Sequence, residues 1–182
     1  MLIFEDVTTT ARRKLFTWLG VEWLATPWAW LSVPFFLALG LACALAGASK
    51  GPLDARLRMG LGYGLLLFLS NGLHTVGHIL SGRMVKSPMQ ANLITATFHV
   101  NLYLGDPAAY PARVHIGRAL GGPLFNLFIG SMGVAVLVVL PSAWLTFFAI
   151  ANLVVGLWLL LPLPGLDGEV IWGQLQQRNH HP

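Results

Sequence analysis

Four apolar stretches dominate the sequence, at residues 29–47, 60–80, 119–140 and 143–163. Each is close to the roughly 20 residues that a helix needs to cross the hydrocarbon core of a bilayer. Of the 182 residues, 55% are hydrophobic and only 10% are charged, whereas a soluble domain carries about a quarter charged residues. The pattern predicts an all-α polytopic membrane protein with four transmembrane helices.

The residues before the first stretch, 1–28, predict a cytoplasmic, interfacial segment. Basic residues at 12–14 lead into a mixture of apolar and aromatic residues, which is typical of an amphipathic helix lying on the membrane surface. Tryptophans suit the aromatic belt at the interface. The residues expected there are Trp18, Trp23, Trp28 and Trp30.

Lysine and arginine are distributed unevenly between the two sides of the predicted bundle. The side that holds both termini also receives the basic residues between the second and third stretches, namely Arg83, Lys86, Arg113 and Arg118. The opposite side receives fewer: Lys50, Arg56 and Arg58. The positive-inside rule therefore predicts a multi-pass protein with both termini in the cytoplasm. Because the basic residues flank apolar runs and form no stripe, a nucleic-acid partner is not expected.

The segment between the second and third stretches, 86–111, has a different composition. It is rich in β-branched and aromatic residues, which predicts one or two short strands. These residues are Ile94, Thr95, Thr97, Phe98, Val100 and Tyr103. Gly105, Asp106 and Pro107 then predict a turn.

A pair of histidines, His74 and His78, lies near the end of the second stretch. Residues four apart point the same way on a helix, so two imidazoles can share one ion. A pair of hydrogen-bonded interior histidines is the alternative. Ionisable residues inside a membrane are costly and usually mark function, so for this pair alone both interpretations stay open.

Two further polar residues are predicted at the same end of the bundle. Asp167 follows the proline-rich exit of the fourth stretch, where it could also be a helix cap. Asn126 lies at the start of the third stretch, where packing is its alternative role. Since the second and fourth spans run in the same direction, Asp167 reaches the side of the histidines. Two imidazoles and one carboxylate with a free fourth position are typical of a catalytic zinc site.

The order His-x-x-x-His, Gly-Pro-Leu-x-Asn and Pro-x-Pro-x-Leu-Asp-Gly resembles the site-2 protease family of intramembrane zinc metallopeptidases. The resemblance covers the chain from about Gly60 to Gly168. It implies zinc bound by His74, His78 and Asp167. It assigns the positioning of a substrate or partner to residues of the second motif, namely Gly122, Pro123 and Asn126.

The resemblance also implies a domain arrangement. A three-helix core formed by the second to fourth spans, with one additional N-terminal span, would make up a transmembrane domain at 29–168. A small membrane-embedded β element would lie at 86–111. The remaining residues, 169–182, would form a C-terminal tail after the domain.

Three positions depart from the family pattern. Thr75 stands where the family has the glutamate that acts as general base, and a threonine hydroxyl cannot carry a proton in transit near neutral pH. Leu159 stands where the family often has asparagine, and Glu169 stands where glycine commonly follows Asp-Gly. No catalytic residue is therefore expected, with Glu169 a weak substitute for the base.

The residues leave three hypotheses for function. The first is an inactive metallopeptidase homologue that keeps zinc and acts as a binding or structural subunit of a membrane complex, with another integral membrane protein as partner. The second is an active intramembrane zinc metalloprotease that uses an altered proton route. The third is a haem- or chlorophyll-binding subunit, with His99 or His115 as a single ligand. The roles of those two histidines stay open.

Overall fold

The computed structural model describes residues 10–47 and 51–179. Its helices are α1 (Ser32–Ala46), α2 (Leu53–Met84), α3 (Ala112–Leu137), α4 (Ala143–Leu159) and α5 (Asp167–Asn179). Its strands are β1 (Arg13–Trp18), β2 (Val21–Ala25), β3 (Met89–Ile94) and β4 (His99–Tyr103). Lys50, the first nine residues of the predicted interfacial segment and the last three of the predicted tail lie outside the described residues.

Each of the four predicted spans coincides for most of its length with one of the helices α1 to α4, so the mostly helical fold is confirmed. The α1 region, Ala29–Ala46, and α3 are long and apolar enough to cross a membrane by length and composition. Helix α4 is apolar but has 17 residues, and α2 has 32 residues that include charged positions near its start. The four-span topology, with both termini in the cytoplasm, stays a prediction.

The outer surfaces of the helices are covered with large apolar side chains. Leu65 on α2, Phe128 on α3 and Leu157 on α4 are each more than half exposed. Lipid solvates such side chains as well as a protein interior does. In a membrane, moving them from lipid into a contact between helices therefore gains little free energy. Contacts between the helices must therefore come from close approach of their backbones and from polar groups.

Glycines provide that close approach between α1 and α2. A Cβ atom at Gly40 would lie 2.1 Å from the backbone nitrogen of Gly64. One at Gly64 would lie 2.6 Å from Leu37 Cα, and one at Gly60 would lie 2.7 Å from Leu41 Cα. Small residues at such crossings are the usual means by which membrane helices associate.

The predicted amphipathic helix at the N-terminus is wrong for its described part, because residues 13–25 form the β1–β2 hairpin. Leu19 and Gly20 form its two-residue connection with φ of 51° and 68°, as a type I′ turn requires. Lys14 pairs with Glu22 across the two strands. Apolar residues occur on both strands, so the sequence of the hairpin also fits an amphipathic helix. The turn at Leu19 and Gly20 is the local feature that distinguishes two strands from one helix.

The hairpin becomes part of a larger sheet through β2. Strand β2 pairs in parallel with β3, which pairs antiparallel with β4, so the order is β1-β2-β3-β4. This arrangement buries Trp23, which was wrongly predicted in the interfacial belt, in a cluster with Val21, Ile79 and Met89. Since Ile79 belongs to α2, the cluster attaches the sheet to the helix that carries the histidine pair.

The predicted strands and turn between the second and third stretches are both present. Strands β3 and β4 occupy the β-branched segment. Gly105 has φ of 88°, and the Asp106 carboxylate accepts a hydrogen bond from the Ala108 backbone nitrogen at 2.9 Å. The chain after the fourth stretch differs from the predicted tail, because α5 begins at Asp167 and Trp172 Nε1 donates to the Leu160 carbonyl at 3.1 Å.

Replacing Gly64 with alanine should destabilise the contact between α1 and α2. The added methyl group would overlap the Leu37 backbone, and such overpacking costs about 1–3 kcal/mol. Gly72→Ala in the same helix is the control, since nothing lies within 4 Å of its new Cβ and alanine favours the helix. Thermal unfolding in detergent micelles should show a lower Tm for Gly64→Ala only. Equal Tm values for the two variants would contradict this packing.

Candidate metal centre

Three potential metal ligands meet where α2 faces the start of α5. His74 Nε2 lies 3.2 Å from Asp167 Oδ2, and His78 Nε2 lies 3.4 Å from Asp167 Oδ1. The two Nε2 atoms are 2.9 Å apart. The structure thus brings together the three residues proposed from the sequence, with all ligand atoms within 4.8 Å of one another.

Buried amides determine which nitrogen of His74 carries the proton. Asn152 Nδ2 donates to the Phe148 carbonyl at 2.8 Å, so its Oδ1 faces Asn126 and accepts from Asn126 Nδ2 at 2.9 Å. Asn126 therefore presents its own oxygen to His74 Nδ1 at 2.9 Å. An amide oxygen only accepts, so His74 Nδ1 is the donor and Nε2 carries a lone pair.

Ser70 completes this polar network. Its hydroxyl donates to Asn152 Oδ1 at 2.9 Å and accepts from Asn126 Nδ2 at 3.0 Å. Ser70, Asn126 and Asn152 are almost fully buried, on α2, α3 and α4 respectively. Hydrogen bonds among buried polar groups hold one orientation, because any rotated amide would leave a donor or acceptor unpaired.

His78 is oriented in the same way by the backbone. Its Nδ1 lies 2.8 Å from the carbonyl oxygen of Arg118 on α3, which also accepts from the Ser81 hydroxyl at 3.3 Å. Because a carbonyl cannot donate, His78 Nδ1 holds the proton and its Nε2 holds a lone pair. Such a bond on the far nitrogen is the usual way in which proteins orient a histidine that binds a metal.

Two imidazole lone pairs and a carboxylate therefore face one another in a buried site. Three acceptors at these distances repel one another unless a cation or protons lie between them. Two nitrogens and one carboxylate oxygen are a ligand set that suits zinc. The chemistry of the donor set and the bonds behind it thus fit a divalent metal ion.

Helix α3 leaves the space in which these nitrogens meet. A Cβ atom at Gly122 would lie 2.3 Å from His74 Cε1 and 2.4 Å from His78 Nε2. Pro123 and Asn126 are also buried in this helix. Of the three residues assigned to positioning from the sequence, Gly122 therefore lies against the histidine pair and Asn126 hydrogen-bonds to His74, whereas Pro123 is buried in the same helix.

Thr75 is buried in α2 beside the two histidines and contacts the sheet. Its hydroxyl oxygen lies 3.0 Å from Nδ1 of His99 on β4, and it donates to the Asn71 carbonyl at 3.3 Å. A hydroxyl has one hydrogen, so His99 Nδ1 donates when that hydrogen points to Asn71. His99 Nε2 is then a bare acceptor, and it is buried with no hydrogen-bond partner among the described residues.

The other candidate side chains lie further out. The Glu169 carboxylate accepts from the Gly165 backbone nitrogen at 2.7 Å, in the loop where Gly165 has φ of 82°. His115 packs edge-on against Tyr110, with ring centroids 6.4 Å apart. Both residues line the same open cavity of about 820 Å³ as Asp167, His78 and His99.

Ser70 and Asn152 are the site residues that the sequence interpretation missed. Both are polar residues within apolar stretches, Ser70 next to Asn71 and Asn152 between Ala151 and Leu153. Polar residues at such positions usually hydrogen-bond to a neighbouring helix, and this rule is the feature of the sequence that could have identified them. Leu159 stands at the position where asparagine was expected, and Asn152 lies two turns earlier on the same helix.

Neither a protein-family model nor a curated protein matches this chain. Among solved structures, it is similar to the site-2 protease from Methanocaldococcus jannaschii. The TM-score is 0.64 at 19% sequence identity, over 93% of this chain and 74% of the other. The fold is site-2-protease-like. Together with the two apolar helices of membrane-spanning length, this fold indicates a membrane protein.

Replacing Asn152 with leucine should destabilise the site-2-protease-like core. The change leaves Asn126 Nδ2 and Ser70 without their shared acceptor, and an unpaired buried polar group costs about 1–3 kcal/mol. Thr146→Val on the exposed surface of α4 is the control and should change the free energy of unfolding little. Denaturant unfolding in detergent micelles measures both variants. Equal stabilities would contradict the network.

Proposed function

We propose that this protein binds one zinc ion through His74, His78 and Asp167 but does not cleave peptides. It acts instead as a binding or structural subunit of a membrane complex. The observation that carries the proposal is the convergence of two oriented imidazole lone pairs and a carboxylate beside a residue, Thr75, that has no carboxylate.

The metal part of the proposal rests on the hydrogen bonds behind the ligands. His74 is held by Asn126 and His78 by the Arg118 carbonyl, so both rings present Nε2 to the same point. A zinc ion held there would polarise a carbonyl group and acidify bound water. These residues bind and orient the ion, and Gly122 keeps its position clear of side chains.

The lack of hydrolysis rests on position 75. A general base must hold a proton between the attack of water and the departure of the amine, which is worth about 10²–10⁴-fold in rate. The Thr75 hydroxyl is buried and already bonded to Asn71 and His99. Glu169 is bonded to the Gly165 backbone nitrogen, which leaves it an unsuitable replacement.

The partner that we propose is another integral membrane protein. Helices α1 to α4 expose large apolar side chains along their outer surfaces, which suits contacts with lipid and with other transmembrane helices. In addition, β4 forms one edge of the sheet and lines the cavity beside Asp167. A partner segment that enters this cavity would meet the metal centre without being cut.

Purified protein should contain about one zinc ion per chain, because the three ligands form one site. Asp167→Asn should lose the zinc, since it removes the charged ligand while keeping the side-chain shape. Glu169→Gln makes the same chemical change two residues away and should keep the zinc. Elemental analysis of the three proteins measures this. Wild-type protein without zinc, or equal zinc in both variants, would refute the site.

A second candidate function, active proteolysis, is favoured by one specific contact. His99 Nδ1 lies 3.0 Å from the Thr75 hydroxyl oxygen. The other ring nitrogen of His99, Nε2, is buried without a hydrogen-bond partner in the described part of the chain. Neutral imidazole is the commonest general base in enzymes. In this alternative, His99 Nε2 accepts the proton of the attacking water and later returns it to the leaving amine.

Our proposal predicts no zinc-dependent cleavage of single-span peptides by the wild-type protein in lipid. The alternative predicts cleavage that falls about 10²–10⁴-fold in His99→Gln, with unchanged zinc content. His115→Gln is the matched control, because His115 lines the same cavity. Cleavage that follows this pattern would replace the first proposal with the second. The haem or chlorophyll alternative stays a prediction, which a visible absorption spectrum tests.

A further inference from the structure

Arg118 is a buried cation beside the metal centre. Its side chain is 7% exposed, and its guanidinium carbon lies over two tyrosine rings, 4.3 Å from the centroid of Tyr103 and 4.5 Å from that of Tyr110. The sequence suggested a loop charge that marks topology, but the residue lies inside α3. Aromatic rings stabilise a guanidinium through its faces and leave its in-plane N–H groups for other partners.

The positive charge of Arg118 has no carboxylate partner within residues 10–47 and 51–179. Its Nη2 donates to the Ser87 hydroxyl, which is neutral. Its Nε is buried and has no hydrogen-bond partner there, and the same is true of the hydroxyl of Tyr103. Buried cations are usually paired, because an uncompensated charge in a low dielectric is costly.

The two residues that carry these unpaired donors line one cavity with the metal ligands. Arg118 and Tyr103 lie on the wall of the 820 Å³ cavity that also contains His78 and Asp167. The rest of the wall is largely apolar, with side chains that include Val100, Leu102, Leu166 and Val170. The cavity therefore combines an apolar surface with a cation and a hydroxyl donor, which is the usual composition of a ligand site.

We propose that Arg118 and Tyr103 form a subsite that binds a carboxylate of an apolar peptide. A planar guanidinium matches a carboxylate, and the Tyr103 hydroxyl adds a further donor. The carboxylate belongs either to the C-terminus of the peptide or to an acidic side chain within it. The subsite goes beyond the proposed function, because it requires neither bound zinc nor the presence or absence of hydrolysis.

The surroundings favour a carboxylate over a phosphate. Asp167 lines the same cavity, so an incoming anion experiences repulsion that increases with its charge. A carboxylate carries one negative charge, and its plane matches the guanidinium fork. The apolar lining suits the side chains of a peptide that leaves or enters a bilayer, and it offers little to a hydrated headgroup.

Binding of defined peptides to the full-length chain tests the subsite. The protein is placed in phosphatidylcholine nanodiscs and treated with a chelator, so that zinc cannot bind the carboxylate itself. The probe is a short fluorescent peptide of alternating leucine and alanine with a free C-terminal carboxylate. The same peptide with a C-terminal amide should bind more weakly by about 10- to 100-fold, as expected for a charge-assisted hydrogen bond.

A third peptide distinguishes the two sources of the carboxylate. It carries the C-terminal amide and one internal glutamate. Restored affinity would assign the subsite to an acidic side chain as well, whereas weak binding would assign it to a C-terminus. Equal affinities for all three peptides would overturn the proposal, and because zinc is absent, this outcome is independent of any failure to find zinc in the purified protein.

Two variants test the named residues. Tyr103→Phe keeps the ring over Arg118 and removes only the hydroxyl, while Arg118→Lys keeps the charge and removes the fork. Both should lose most of the preference for the acid over the amide. Arg113→Lys, at an exposed position of the same helix, is the matched control and should keep it.

If Arg118→Lys does not fold, the result with Tyr103→Phe decides. An unchanged preference for the acid in Tyr103→Phe and in any folded Arg118→Lys would overturn the proposal. The same holds if phosphatidylglycerol in the nanodisc or inorganic phosphate displaces the acid peptide at lower concentration than unlabelled peptide does. That outcome would assign the cavity to phosphate.

Discussion

The hydrogen bonds on the outer nitrogens of His74 and His78 determine what the centre of this protein can do. Each Nδ1 donates to an oxygen that can only accept, so each Nε2 presents a lone pair to Asp167. Three mutually repelling acceptors are stable in a buried site only with positive charge between them. The proposed zinc site, the need for space at Gly122 and the buried amides on α3 and α4 all follow from this constraint.

The polar network also holds the helices together, because contact between apolar side chains gives little drive for helices to associate in lipid. Ser70, Asn126 and Asn152 join α2, α3 and α4 through a small number of buried bonds. Glycines bring the backbones close enough for these short side chains to meet: a Cβ at Gly77 would lie 2.3 Å from the Gly121 carbonyl. The packing of the helices and the orientation of the proposed metal ligand His74 therefore depend on the same residues.

In our proposal, the surroundings of the centre hold a peptide and do not cut it. Where a base would be needed, Thr75 bonds to Asn71 and to His99 on the sheet. On the other wall of the cavity, Arg118 and Tyr103 carry donors that have no partner among the described residues, and we propose that a carboxylate binds there. A site with a metal, an anion subsite and no carboxylate base would retain a peptide end, which is consistent with a binding role in a membrane complex.

Sequence periodicity alone determined the helical stretches, the His74–His78 pair and the turn at Gly105, because each depends on neighbouring residues. Lone polar residues in apolar runs were visible, but which of them meet depends on how the helices cross, so Asn152 was overlooked. The β1–β2 hairpin was missed because its apolar residues also fit an amphipathic helix, and the partner that places it in the sheet, β3, lies more than sixty residues further along the chain. Only the tertiary structure decided that Thr75 bonds to His99 and that Arg118, beside the candidate metal centre, has no carboxylate partner among the described residues. Side-chain partners on separate elements leave no local pattern in the sequence.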